Sequence, residues 1–186
     1  TLGCRTRYHC FDVRNKAKLV GLIDELYAHG RIDGVIHAAG VLRDSLILEK
    51  TAESFKLVFE TKVNPAEVLE AKLQSDVKFV ALFSSVSGCF GNRGQTDYAA
   101  ANNALDHVAR SLGKKVQGRT LSINWGPWAG TGMVTAELEH EYKRRGIGLI
   151  PPQVGSQRFL DELRFGDHNT RQVVIMSGSP ESFGFS

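Results

Sequence analysis

The chain is poor in the residues that mark several classes of protein. Its three cysteines, Cys4, Cys10 and Cys89, are odd in number and lack CxxC spacing. That fits a reducing compartment better than a disulfide framework. The six histidines show no metal-ligand spacing, so no metal is expected. No apolar run approaches the roughly 20 residues of a membrane span, and the start is not signal-like. Neither charge sign dominates, with 23 basic against 20 acidic residues. The basic clusters Lys114-Lys115 and Lys143-Arg144-Arg145 are too short for a nucleic-acid stripe. There is no internal repeat and no low-complexity linker. A cytoplasmic, soluble protein contacting neither nucleic acid nor membrane is expected.

What remains is an ordinary globular composition, 42% hydrophobic and 23% charged over 186 residues, enough for one sizeable core. Short apolar runs at Tyr8–Phe11, Gly34–His37, Phe79–Phe83, Leu121–Trp125 and Gln172–Met176 predict buried strands. Helical patterns lie between them, near Lys16–His29, Thr51–Leu73, Thr96–Leu112 and Pro152–Leu163. This alternation predicts an α/β fold, a Rossmann-like doubly wound parallel sheet covered by helices on both faces. Right-handed crossovers would bring the strand ends Asp12, His37–Gly40, Ser84–Ser85 and Trp125–Gly130 to one crevice. One part is missing from that plan. No GxGxxG occurs, and the chain opens on TLGCRTRYHCFDV, without the strand, Gly-rich turn and helix that cradle a pyrophosphate.

The stretch Phe83–Asn102, FSSVSGCFGNRGQTDYAAAN, carries the chemical signal. Ser85 ends an apolar run, Tyr98 follows a Gly-containing loop, and Asn102 lies one helical turn after Tyr98. Reduction of a ketone requires a held carbonyl, a polarised oxygen and a timely proton. A serine hydroxyl and a tyrosine phenol can supply the last two. A nearby ammonium would ease loss of the phenolic proton. Lys62 and Lys56 are equal candidates on composition. The Asn64-Pro65 step should kink or restart the helix just after Lys62 and turn it inward, which favours Lys62. Taken singly, each residue is more often a packing or surface group; the ordered combination carries the weight.

With HAAGVLRDSL (37–46), TKVNPAE (61–67), FVALFSSVSGCFGNRGQTDYAAANNALD (79–106) and INWGPWAGTGM (123–133), the sequence resembles the short-chain dehydrogenase/reductase superfamily. More closely, it resembles the ketoreductase domains of polyketide synthases and related fatty-acid synthases. In that group Asn stands where most of the superfamily keeps Lys, and the Lys comes from the preceding helix, as Asn102 and Lys62 do here.

The resemblance implies Tyr98 as proton donor, Ser85 as the ketone-binding hydroxyl, Lys62 as the group that lowers the Tyr98 pKa, and Asn102 as completing the site. It implies NADPH as cofactor, met by Asp12 and Val13 at the adenine, by Ala38, Ala39 and Gly40 along its length, and by Lys62, Tyr98, Pro127 and Trp128 near the nicotinamide. The implied substrate is a β-ketoacyl thioester on the phosphopantetheine of an acyl carrier protein. Upstream residues or a partner chain would complete the cofactor site, and the 186 residues alone should hold NADPH weakly. Residues 1–178 would be the catalytic portion, with a lid over about 129–150, and 179–186 a tail. Asp44, Phe90 and Met133 mark substrate and stereocontrol positions. Asp44 is retained from a Leu-Asp-Asp signature, and Phe90 stands where makers of the opposite hand carry Trp, which favours a D-configured hydroxyl. The alternatives are a non-catalytic module derived from a ketoreductase and a free-standing reductase of a small ketone.

Overall fold

The computed structural model describes residues 3–130, 136–144 and 146–178. Four strands, β1 (Gly34–His37), β2 (Phe79–Ser85), β3 (Arg119–Trp125) and β4 (Gln172–Ile175), form one all-parallel sheet in the order β1-β2-β3-β4. The helices are α1 (Lys16–His29), α2 (Ala52–Lys72), α3 (Val86–Phe90), α4 (Thr96–Lys115), α5 (Ala136–Arg144) and α6 (Pro152–Phe165).

Local chemistry sets several of these boundaries. The Asn15 side chain accepts a bond from Lys18 N, and Thr51 Oγ1 one from Ser54 N, so each caps the first turn of its helix. Glu53 opens α2 and Lys72 closes it, in the sense the helix dipole favours. Lys114 and Lys115 close α4 in the same way, and the Lys115 ammonium reaches across to Glu70 O and Ala71 O at the end of α2.

Alternation along the strands sorts the core into two layers. On one face Val80 and Leu82 pack with Leu69 of α2, Leu105 and Leu112 of α4, and Ile23 of α1. On the other face Leu121, Ile123 and Trp125 pack with Phe83, Val173 and Phe159 of α6. Because α4 and α6 cover opposite faces while the strands advance in one direction, the β3–α6–β4 crossover has the opposite hand to β2–α4–β3. Uniform right-handed crossovers were expected, and this last one departs from the rule. Described residues of the connection from Gly126, Trp128, Leu138, Tyr142 and Ile147 among them, line the cleft at the carboxyl end of the sheet before α6 begins. The base of the connection is pinned where Ile150 N donates to Pro127 O (2.8 Å) and Ala129 N to Ile150 O (2.9 Å).

Three further expectations are corrected. Tyr8–Phe11 is not a strand: it pairs with nothing among the described residues, and Tyr8 is 89% exposed. A strand exists only through its ladder, so apolar sequence alone did not make one. Helix α2 does not restart at Pro65 but continues to Lys72. Pro65 is buried beside Ala66, Val68 and Leu69, and that packing offsets the hydrogen bond it cannot make. The segment after Ser85 is not plain loop but the single-turn helix α3, whose N-cap is Ser85 itself.

Candidate active site

The carboxyl ends of β1, β2 and β3, with α3, the start of α4 and the β3–α6 connection, enclose a cleft of about 360 Å³. Ser85, Tyr98 and Lys62 all line it, together with Ala38, Leu42, Phe90, Pro127 and Trp128. Leu138, Tyr142 and Ile147 form its outer wall. Tight packing sets the inner one. The Trp125 and Trp128 rings meet edge to face at 4.9 Å, and α6 comes so close that a Cβ on Gly155 would lie 2.4 Å from Trp128 Cη2.

Each polar group has a fold-level reason for its place. Ser85 is the last residue of β2, and its Oγ accepts from Ser87 N at 3.2 Å. Ser87 Oγ donates to Gln95 Oε1 (2.9 Å), and Gln95 Nε2 donates to Asp44 Oδ2 (2.8 Å). A chain of hydrogen bonds therefore runs from the Ser85 hydroxyl to the Asp44 loop. Lys62 is almost fully buried on α2, whereas Lys56 on the same helix is exposed, so burial decides between them. The Lys62 ammonium donates to Phe83 O at 2.8 Å and lies 5.6 Å from the centre of the Tyr98 ring. Asn102 donates through Nδ2 to Tyr98 O at 2.7 Å, and its buried Oδ1 has no partner among the described residues. Behind it, Ser84 Oγ donates to Asn102 O, Asn124 Nδ2 to Ser84 Oγ, and Asn124 Nδ2 also to the buried Asp106 carboxylate. This buried polar ladder ties α4 to β2 and β3 directly beneath Tyr98.

Burial pushes the Tyr98 phenol up from its ordinary value, opposed by hydrogen bonding from Asn102 and Ser85. The Lys62 ammonium donates to Phe83 O, and burial lowers its own pKa to about 8. A phenol already keeps its proton at neutral pH, and burial moves Tyr98 further in that direction.

His37 sits at the end of β1 with Nε2 2.8 Å from Lys62 O, the geometry of an Nε2–H donor to that carbonyl. Burial, then the Lys62 charge, lower its pKa to about 4, against the Lys62 backbone bond. The folded state therefore keeps His37 neutral while the unfolded chain takes up a proton near pH 6.5. Stability from this group is complete above pH ~6.5 and is lost as pH falls towards 4, by roughly 3 kcal/mol. Urea midpoints at pH 7.5 and 4.5 check it: His37→Gln should lose part of the acid sensitivity of the wild type, and an unchanged pH slope would contradict it.

The remaining sequence candidates divide. Phe90 lines the cleft; Asp44 is exposed and reaches it through Gln95. Ala39 and Gly40 continue from β1 just beyond Ala38, half-buried. Asp12 and Val13 stand outside the cleft, and the exposed Asp12 carboxylate is bonded by the Arg14 guanidinium at 2.6 Å. Met133 and the tail 179–186 lie outside the described residues. Among the described residues no cluster of ligating side chains suits a metal ion, and no helix is long and apolar enough to cross a membrane.

With Ser85, Tyr98 and Lys62 around one cleft at the carboxyl end of a parallel sheet, comparison with known proteins becomes decisive. The family model described as KR domain matches residues 1–130. The chain belongs to the KR domain family. It is similar to a polyunsaturated fatty acid synthase polypeptide of Thraustochytrium sp., 39% identical over 83% of the chain and 6% of that protein. It is also similar to polyketide synthase PksN of Bacillus subtilis, 33% identical over 95% of the chain and 3% of that protein. Among solved structures, the ketoreductase PlmKR1 from the first module of phoslactomycin biosynthesis in Streptomyces sp. HK803 superposes with a TM-score of 0.82. It is 36% identical over 93% of this chain and 40% of its own. This KR chain thus spans a small part of the synthases and under half of that solved ketoreductase.

Sequence reasoning did not single out Gln95 or Ser87, and it placed Leu138 and Tyr142 only within the lid expected over about 129–150. Gln95 carried a usable signal, since it stands three residues before Tyr98 at the N-cap of α4. That Leu138 and Tyr142 themselves line the cleft is visible only in the tertiary arrangement.

Proposed function

We propose that the cleft reduces the ketone of a β-ketoacyl thioester, carried on the phosphopantetheine of an acyl carrier protein, with NADPH as reductant. The observation that carries this reading is the convergence of the Ser85 hydroxyl, the protonated Tyr98 phenol and the buried Lys62 ammonium on one cleft of substrate size. The kinship with polyketide and polyunsaturated fatty acid synthases supports a carrier-bound acyl substrate.

The residues fit the nicotinamide end of such a cofactor. Ala38, Pro127 and Trp128 give apolar walls and Lys62 a cation, while Asn102 is fully buried behind the cleft and does not line it. Ala39 and Gly40 would continue the contact, with Asp12 and Val13 towards the adenine; upstream residues or a partner chain would hold the pyrophosphate. The bound cofactor would supply the hydride. Ser85 would donate a hydrogen bond to the ketone oxygen, and Tyr98 would give that oxygen its proton as charge develops. Lys62 and Asn102 would then steady the phenolate, each close to the ring or its backbone. Residues 129–150 would act as a lid, with Leu138, Tyr142 and Ile147 keeping water from the reacting atoms. Asp44, Phe90 and Met133 would set the hand, and a D-configured hydroxyl is expected. We take 1–178 as the catalytic portion and 179–186 as a tail.

The test is direct. The chain, joined to whatever natural sequence precedes it, is incubated with NADPH and a soluble β-ketoacyl thioester. NADPH absorbance should fall, and chiral analysis should return the D-hydroxy product. No oxidation where NADPH binding is demonstrated would sink the reading, and an L-product would overturn the stereochemical part alone.

A further inference from the structure

We propose that the buried Lys50–Asp97 ion pair is a positioning device, which locks the loop carrying Leu42 and Asp44 to the first turn of α4 and so sets how the ketone meets Tyr98. The proposal rests on the reading of the cleft as a β-ketoacyl reduction site.

Lys50 Nζ donates to Asp97 Oδ2 at 2.9 Å, with the two side chains 4% and 0% exposed. The same ammonium donates to Arg43 O at 2.8 Å, inside the loop between Leu42 and Asp44. Asp97 Oδ1 accepts from Tyr98 N at 2.9 Å. One cation therefore connects the loop to the residue adjoining Tyr98. Two neutral bonds run beside it, Ser45 N to Gly94 O at 3.0 Å and Gln95 Nε2 to Asp44 Oδ2 at 2.8 Å.

Stability alone does not account for the pair. Removing two charges from water is costly, and an apolar pair of similar volume generally stabilises as well or better. A cation with two fixed acceptors supplies direction, which packing of apolar side chains does not. The other described ion pairs all keep at least one partner substantially exposed. This one is enclosed on both sides and touches the cleft-lining loop and the Tyr98 backbone together.

The double variant Lys50→Met/Asp97→Asn tests the proposal without leaving a lone buried charge; Asn keeps an oxygen for Tyr98 N. It is made in the chain with its natural preceding sequence. Its melting temperature should stay near that of wild type. Amide exchange at Ser45 should rise by about ten-fold or more while core amides such as Leu82 and Ile123 are unmoved. With NADPH and a soluble β-ketoacyl thioester, kcat should fall about ten- to hundred-fold with KM and NADPH affinity little changed, and the excess of one hydroxy enantiomer should shrink. A folded variant with wild-type kcat and stereochemical purity would overturn the proposal, as would unchanged Ser45 exchange. Exchange needs no turnover, so it judges the lock even if the wild type proves inactive. An inactive wild type would instead overturn the reduction reading and the stereochemical half of the proposal with it.

Discussion

Tyr98→Phe should lower turnover on the order of 10³-fold while NADPH affinity stays within a few-fold of wild type. The substitution removes one oxygen and almost no volume, so the ring keeps its place beside Lys62 and over α4. What it deletes is the phenol that lines the cleft next to the Ser85 hydroxyl; the other lining phenol, Tyr142, belongs to the outer wall on α5. A phenol keeps its proton at neutral pH and burial raises Tyr98 further, so the wild type enters the reaction with its acid loaded. Binding interactions made equally before and during the reaction remain, hence kcat falls and KM moves little. Steady-state kinetics with a fluorescence titration of NADPH measure both quantities. A variant retaining a tenth or more of wild-type turnover would remove Tyr98 from the proposed role of proton donor.

Lys62→Met should make the protein more stable and less active. Lys62 is 3% exposed, no carboxylate pairs with it among the described residues, and its ammonium has Phe83 O as an acceptor. Burial lowers its pKa from 10.5 to about 8, so the fold opposes the charged form. Below pH ~8 the folded protein carries that cost in full, and the cost disappears as pH rises towards the unfolded value near 10.4. The shift corresponds to roughly 3 kcal/mol, and about 1 kcal/mol returns through the lost bond to Phe83 O. The variant should therefore gain about 2 kcal/mol at pH 7 and become less stable than wild type near pH ~10.5, by up to about 1 kcal/mol. Urea unfolding at the two pH values measures the gain, and NADPH oxidation measures the loss, expected to be about 10²-fold or more. A variant less stable than wild type at pH 7 would show that the buried ammonium is better solvated than its surroundings suggest. This is the stability–activity conflict expected where a charge is kept for chemistry rather than for folding.

Much of the fold was legible because its signals are local. The apolar runs of β2 and β3 and the helical spacing of α4 read correctly, with ends extended by a few residues. Helix α1 was placed at its observed bounds because Asn15 caps one end and Gly30 ends the other. The failures share one cause. At Tyr8–Phe11, Pro65 and the segment after Ser85, local preference competes with pairing or packing supplied by distant residues, and the distant term wins.

The candidate site divides in the same way. The Ser85, Tyr98 and Asn102 spacing was readable, since those residues lie on one strand end and one helix face. That Lys62 rather than Lys56 enters the cleft depended on which side of α2 faces β2 and α4. The Lys50–Asp97 pair, 47 residues apart, and the Asp44–Gln95–Ser87 chain had no sequence signature at all.

By itself, the sequence determined the α/β class, the kinship and the types of group available for chemistry, because periodicity and spacing are properties of neighbours along the chain. Only the tertiary structure decided which lysine is buried, that burial pushes the Tyr98 phenol up, and that Lys50 pairs with Asp97. Those outcomes depend on desolvation and on contacts between segments far apart in the chain, and such terms exist only once the sheet has assembled.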